Sequence, residues 1–248
     1  MKKINIMPMA GLGERFKVGG FNTPKPFINI NDNPMFIEAS KCMPVADKWI
    51  YICHKEYLNK YEIYDFIKKD LKQITKTIKM TKATNGQAET CLLAADFIGN
   101  NDQIFIHSCD TYIKYDLKLF DKLIKKNDVI IFTAKAEKYH LENIDSFGWV
   151  HSKNDIIQKI SCKTQASYYP KNDNIIVGTF AFRTKEFFIN SVNSLLNNNL
   201  RINNEFYMDM AINESIKLGY KVYDFLVDNY ISWGSPEELE KSQNKYNK

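Results

Sequence analysis

The chain predicts a mixed α/β fold, a Rossmann-like three-layer sandwich around a mixed central sheet. Short apolar runs alternate with helix-length patterns through the first 134 residues, the rhythm of parallel strands covered by helices. After Ala134 strand-like segments follow one another with little helix between them, as in an antiparallel excursion added to the first sheet. No repeat, Gly/Ser linker or composition break divides the 248 residues, so one elaborated domain, 1–248, is the simplest organisation.

Ile4–Met9 is a short apolar run and predicts a buried strand. Pro34–Met43 predicts a short helix with proline at its start. Trp49–Cys53 reads as a strand, followed by a helix over about Glu56–Lys69 and a strand over Lys76–Thr81. Gly86–Ile98 predicts a helix, with Ala88, Cys91, Leu92 and Ala95 on one face. Gln103–His107 reads as a strand that ends near Asp110. Lys118–Lys125 is helical in pattern and Val129–Ala134 strand-like. Three strand-like segments, Phe147–His151, Ile156–Ile160 and Ile175–Phe182, make up the excursion. Helices over Lys185–Leu196 and Glu205–Leu218, a strand over Lys221–Phe225 and a helix begun by Pro236 complete the chain. The asparagines at Asn197–Asn199 and Asn203-Asn204 mark helix ends and a loop.

Composition excludes several classes. The chain is 44% hydrophobic and 13% aromatic, enough for a substantial core. No apolar run is long enough to span a bilayer, and the basic start Met1-Lys2-Lys3 leads into too short a run for a signal peptide. Cys42, Cys53, Cys91, Cys109 and Cys162 are scattered and odd in number, which argues against a disulfide framework or structural zinc and suits a reducing cytoplasm. The net charge of +5 is spread thinly; it suits an anionic small molecule and does not indicate nucleic acid.

The chemistry concentrates near the start. The first strand runs into Ala10-Gly11-Leu12-Gly13-Glu14-Arg15-Phe16, and Thr23-Pro24-Lys25-Pro26-Phe27 follows. Glycines allow close backbone approach to phosphate, Arg15 supplies a forked donor, and the prolines restrict the backbone around Lys25. This suits a triphosphate cradle. The dinucleotide fingerprint fails because Phe16 replaces its third glycine, and no Gly-Lys-Ser/Thr makes a Walker loop. A structural turn with a stray basic pair is the plainer alternative.

Asp110 follows a strand, where ligands of open α/β sheets bind and where Mg²⁺ takes one or two carboxylates beside phosphate oxygens. An aspartate capping a turn before Tyr112 is the alternative. Thr84-Asn85-Gly86-Gln87-Ala88 leads into a helix; Gly86 could face a base or phosphate, and the Gln87 amide could read a base edge. A plain helix entry also fits. Lys163 could contact an acceptor phosphate or be a surface lysine. Glu205, Tyr207 and Asp209 could shape an acceptor pocket or simply start a helix. His54, His107, His140 and His151 show no metal spacing; His107 near Asp110 is equally a buried strand residue.

These motifs, with Val177-Gly178-Thr179-Phe180, Asn204-Glu205-Phe206-Tyr207 and Trp233-Gly234-Ser235-Pro236-Glu237-Glu238-Leu239, make the chain resemble the nucleotidyltransferases of sugar and capsule biosynthesis, the NDP-sugar pyrophosphorylases. The resemblance implies a GT-A-like nucleotidyltransferase fold with a nucleotide-binding half, 1–134, and an acceptor-binding half, 135–248. It also implies a Mg²⁺-dependent reaction in which a phosphate monoester attacks the α-phosphorus of a nucleoside triphosphate and releases pyrophosphate. On this resemblance Arg15 and Lys25 are catalytic. The glycine loop, with Gly11 and Gly13 among Ala10, Leu12 and Glu14, holds the nucleotide; the residue readings above add Gly86 and Gln87 to the nucleotide site and Lys163, Glu205, Tyr207 and Asp209 to the acceptor site. Asp110 holds the metal.

Many relatives place a second metal-binding aspartate two residues before the glycine matching Gly234. Ser232 stands there, so Asp228 is the expected second ligand, or the metal keeps more water. The opening Met7-Pro8-Met9-Ala10-Gly11 and the Asn204–Tyr207 segment look most similar to small capsule-type members. That favours CTP, with a phosphoglutamine-type acceptor as the specific expectation and a sugar 1-phosphate as the conservative one. A cytoplasmic enzyme without membrane or nucleic-acid partners is expected, homo-oligomerisation being compatible. A GT-A-like glycosyltransferase and a non-catalytic nucleotide-binding regulator are the competing classes. The first usually needs a D-x-D motif, whereas His107-Ser108-Cys109-Asp110 has one acid. The second draws on Ser232.

Overall fold

The structure is a computed structural model that describes residues 1–60, 75–80 and 82–246. In chain order, β1 (Lys3–Pro8), α1 (Glu14–Val18), β2 (Asn29–Ile30), β3 (Asn33–Pro34), α2 (Met35–Ser40), β4 (Lys48–His54), α3 (Lys55–Lys60) and β5 (Thr75–Met80) open the fold. Then come α4 (Gln87–Leu92), β6 (Gln103–His107), β7 (Thr111–Lys114), α5 (Leu117–Leu123), β8 (Val129–Lys135) and α6 (Lys138–Glu142). The rest is β9 (Gly148–Lys153), β10 (Ile156–Cys162), β11 (Asn174–Phe182), α7 (Lys185–Asn197), α8 (Met208–Lys217), β12 (Val222–Leu226), β13 (Asn229–Ser232) and α9 (Pro236–Tyr246).

A nine-stranded sheet runs β5-β4-β1-β6-β11-β8-β12-β10-β9. Strands β5, β4, β1 and β6 are parallel, as the alternating pattern predicts. The sheet separates two apolar layers because side chains alternate across it. Phe105, Phe132 and Phe225 face one layer, with Met35, Phe36 and Ile37 of α2 and Phe120 of α5. Ile104, Ile106, Phe180 and Phe182 face the other, under Phe188 and Val192 of α7, Ala211 and Ile212 of α8, and Ala88 and Cys91 of α4. This is the three-layer mixed α/β arrangement expected.

The structure corrects several details. The antiparallel excursion is not an appendage. β11 lies inside the sheet, antiparallel to both β6 and β8, with a register shift between Ile176 and Phe180. Ile175, Phe180 and Phe182 are all fully buried, which suits a central strand covered on both faces. A small antiparallel ribbon of β7 and β13 was not foreseen. The helix expected from Glu205 begins at Met208, because Glu205 is bridged to Ile202 and the Phe206 backbone is bonded to Asn85 and Ala88. The helix expected to reach Ile98 ends at Leu92, and Ala95–Phe97 forms a tighter turn. Most of the predicted Glu56–Lys69 helix and Thr81 lie outside the described residues.

Candidate active site

The site forms beyond the carboxyl ends of β1 and β6, where chain segments distant in sequence meet. The loop after β1 is rooted at both sides: the Met9 amide donates to the Ile52 carbonyl at 2.9 Å, and His54 Nε2 donates to the Ala10 carbonyl at 2.7 Å. Gly13 closes the loop at φ +66°, a left-handed conformation suited to glycine, and its carbonyl accepts the first bonds of α1. Phe16 is buried and packs edge-on against Phe21, 5.2 Å between centroids. That anchor explains an aromatic where a dinucleotide fold keeps a glycine.

Lys25 opens a short turn whose next residues, Pro26 and Phe27, are buried; Phe27 packs against Phe36. Its ammonium therefore has a fixed root. Lys25 Nζ donates to Asp110 Oδ2 at 2.5 Å and to the Gly234 carbonyl at 3.0 Å, and lies 5.2 Å from the centroid of the Phe16 ring. Asp110 sits in the turn between β6 and β7, its carbonyl accepting from the Trp233 amide at 2.8 Å. Burial pushes the Asp110 carboxyl upward, but the charge and hydrogen bond of Lys25 outweigh it and hold the group below its ordinary 3.8.

Gly86 joins the two halves. It is at φ +127°, and a Cβ there would lie 2.6 Å from the Phe206 amide nitrogen and 2.7 Å from its carbonyl oxygen. The Phe206 amide donates to Asn85 O at 2.7 Å and the Ala88 amide to Phe206 O at 3.0 Å. The glycine is thus demanded by close approach to the second half of the chain, a reason invisible in the motif. Gln87 Nε2 donates to Ser108 Oγ at 3.2 Å, which aims its amide toward the Asp110 turn.

At the other end, Gly148 lies against the Asp209 carboxylate; a Cβ would overlap it. Burial pushes Asp209 up to about 6, against the pull of its own backbone bond, the Cys162 thiol and Lys163. Burial also raises the Tyr207 phenol, with Glu205 adding to the shift.

Ala10 through Arg15, Lys25, Gly86, Gln87, Asp110, Glu205, Tyr207 and Asp209 all line one open cavity of about 1150 Å³. That exceeds the roughly 300–1,000 Å³ of a pocket for one small ligand. Two predicted site residues do not line it. Lys163 lies outside this wall, its ammonium 5.6 Å over the Tyr207 ring. Asp228 is exposed at the far end of the ribbon, bonded through its amide to Lys114 O. Ribbon register places Ser232 opposite Thr111, beside Asp110, and Asn229 opposite Lys114. Asp228 is therefore about 13 Å along the strand from Ser232, at ~3.3 Å per residue.

Residues missed by sequence reasoning complete the wall. Ser108 packs on the positive-φ Gly178, and its amide donates to the Gly178 carbonyl at 3.0 Å. Glu238 also faces the cavity. Burial raises its carboxyl, a Ser232 hydrogen bond opposes this, and the Asp110 charge raises it further. In the sequence Glu238 stood only within the Trp233–Leu239 motif, with no role assigned to it. Among the described residues no three or more His, Cys, Asp or Glu side chains group into a metal site. Asp110 and Glu238 line the same cavity, and their carboxylate oxygens are of the hard kind that suits Mg²⁺. No helix among the described residues is long and apolar enough to cross a membrane.

The model of the family described as Nucleotidyl transferase matches residues 6–230. Solved structures with the same fold include a nucleoside-diphosphate-sugar pyrophosphorylase from Vibrio cholerae RC9, with TM-score 0.77 and 18% identity, covering 97% of this chain and 99% of that one. An inositol-1-phosphate CTP transferase from T. maritima aligns with TM-score 0.70 and 16% identity, over 97% of this chain and 93% of its own. A UTP-bound UGPase from Acinetobacter baumannii gives TM-score 0.72 and 16% identity, over 99% and 93%. No curated protein sequence matches significantly.

Proposed function

This chain belongs to the nucleotidyl transferase family, and from that premise we propose that it joins a nucleoside triphosphate to a phosphorylated small acceptor and releases pyrophosphate. The observation that carries this reading is the convergence of Lys25, Asp110 and the Gly234 carbonyl beneath the glycine loop in one cavity. An acceptor phosphate oxygen forms a bond to the α-phosphorus as the bond from that phosphorus to the bridging oxygen breaks, and the pair of electrons leaves with pyrophosphate. The nucleophile is already an anion, so no general base is required; catalysis is alignment and charge neutralisation.

Ala10 to Glu14 carry the polyphosphate with their backbone, while Arg15 and Lys25 balance its charge. Gly86 and Gln87 flank the base. Glu205, Tyr207 and Asp209 orient the acceptor, with Lys163 behind Tyr207. Residues 1–134 form the nucleotide half and 135–248 the acceptor half. Asp110, assisted by Glu238, would hold Mg²⁺, which when bound supplies further neutralisation of phosphate charge.

CTP and a phosphoglutamine-type acceptor are the finer expectation, with sugar 1-phosphates the broader class; a place in making capsule or surface polysaccharide follows from the same resemblance. The inositol-1-phosphate CTP transferase among the similar structures supports considering CTP. The five cysteines, scattered and odd in number, suit a reducing cytoplasm. A second reading, a nucleotide-binding regulator, draws on Ser232, which lines the cavity at the position where the resemblance gives many relatives an aspartate. The test is pyrophosphate release with each of four nucleoside triphosphates against phosphorylated sugars, amino alcohols and amino-acid amides. Release with one triphosphate and one acceptor supports the enzyme. Thermal stabilisation by a triphosphate without turnover on any acceptor supports the regulator.

A further inference from the structure

His107 ends β6, three residues before Asp110, and none of the binding roles above uses it. It is fully buried. Its Nδ1 lies 2.7 Å from Thr179 Oγ1 on β11, and its Nε2 lies 3.0 Å from the Thr111 carbonyl and 3.1 Å from Cys42 Sγ beyond α2. A carbonyl only accepts, so Nε2 carries the proton and Nδ1 accepts from the Thr179 hydroxyl. Burial lowers the ring to about 4, against the opposing Thr111 bond and Asp110 charge, so the ring is neutral at pH 7.

Packing alone does not call for this residue. Phe105, two residues back on the same face of the strand, fills its place with hydrocarbon, and an imidazole beside it must lose its water. The polar groups have a geometric use instead. The turn from 107 to 111 presents Asp110. Its backbone is tied outward by Ser108 N–H to Gly178 O at 3.0 Å and Trp233 N–H to Asp110 O at 2.8 Å. The His107 ring ties it inward, from its first residue to its last.

We propose that His107 is a positioning residue: braced by Thr179, its ring clamps the Thr111 carbonyl and fixes the turn that holds Asp110 against Lys25. The kinetic consequence rests on the nucleotidyl-transfer reading; the structural consequence does not. A displacement of about 1 Å in a catalytic group can cost roughly 10²-fold in rate, so a loosened turn registers in kcat. Nucleotide affinity, drawn from the glycine loop that is rooted on Ile52 and His54 outside the turn, changes little.

The experiment compares His107→Leu, His107→Gln and Thr179→Val in the full chain, by steady-state kinetics and amide hydrogen exchange. His107→Leu lowers kcat by about 10–100-fold, with KM for the triphosphate within about threefold. His107→Gln, able to donate and accept at similar places, recovers most of the rate. Exchange of the Trp233 amide, bonded to Asp110 O, speeds up about tenfold or more in His107→Leu. The Val227 amide, bonded to Thr133 O at 2.8 Å, keeps its protection. If His107→Leu does not fold, Thr179→Val removes only the brace and shows the same pattern more weakly. Wild-type kcat and Trp233 protection in the folded variants would overturn the proposal. A wild-type protein inactive on the whole substrate panel would refute the functional reading instead, and hydrogen exchange still decides the clamp.

Discussion

Lys25→Met keeps a long stem and deletes the ammonium that Asp110 and the Gly234 carbonyl share. Removing one partner of a buried ion pair costs about 3–5 kcal/mol. The Lys25 and Asp110 side chains retain 16% and 24% exposure, which points to the low end, about 3 kcal/mol. The loss has a pH signature. In the native protein burial raises Asp110, but Lys25 overrides it and the group lies below 3.8. Its stabilising contribution is present above the unfolded value and is lost as pH falls through the lower folded value. In the variant only burial remains large, so the folded value rises above 3.8. The unfolded chain then ionises first as pH rises, and the folded state is penalised at neutral pH. The variant's deficit shrinks as pH falls through the native folded value of Asp110 and is complete by pH 7, read by urea unfolding from acid to neutral pH. Its kcat at pH 7.5 falls by about 10²–10³, the scale of one lost charge-stabilising donor. Adding Asp110→Asn removes the stranded charge and recovers stability without recovering activity. An equal stability loss at both ends of the pH range, or a kcat within about threefold of native, would refute the ion-pair reasoning.

Gly86→Ala places a methyl 2.6 Å from the Phe206 amide in a backbone region reserved for glycine; it lowers stability by about 3 kcal/mol, measured as a fall in the urea midpoint. Gly148→Ala drives a methyl into the Asp209 carboxylate and to 2.8 Å from Ile176. It raises KM for the acceptor while leaving KM for the triphosphate unchanged, which kinetics with each substrate varied in turn will check. Asp209 has a folded value near 6 against 3.8, so native stability falls as pH rises between those values. Asp209→Asn abolishes that slope and gains relative stability by pH 6, read from unfolding at pH 4 and pH 7.

Local pattern made the parallel half of the fold legible. The strand at Gln103–His107 has the bounds expected of it, and the strand at Val129 differs from expectation by one residue at its end. The glycine loop and Lys25 lie in contiguous sequence, so their shared cavity could be anticipated from the first 30 residues. The rest was hidden because it depends on contacts between distant residues. Nothing local shows that β11 enters the sheet between β6 and β8, or that Gly86 is shaped by Phe206. Asp228 was the natural replacement for Ser232 when distance was counted along the chain. The ribbon register turns those four positions into a separation along a strand and leaves Glu238, from the next helix, nearer the chemistry.

The position of β11 also makes the two ends of the cavity one mechanical unit. β11 pairs Thr179 with His107 at the Asp110 end and Ile175 with Trp149 beside Gly148 at the end proposed for the acceptor. The register shift at Gly178 falls between them, where Ser108 packs. Phe206 is bonded to the Asn85–Ala88 segment on one side and leads into Asp209 on the other. A displacement of the wall around Gly148 and Asp209 therefore strains the same backbone that aims Gln87 and Asp110. The proposed in-line transfer needs that coupling. An attacking oxygen and a leaving pyrophosphate must stay on one axis, and a hinge between the halves would let that axis bend.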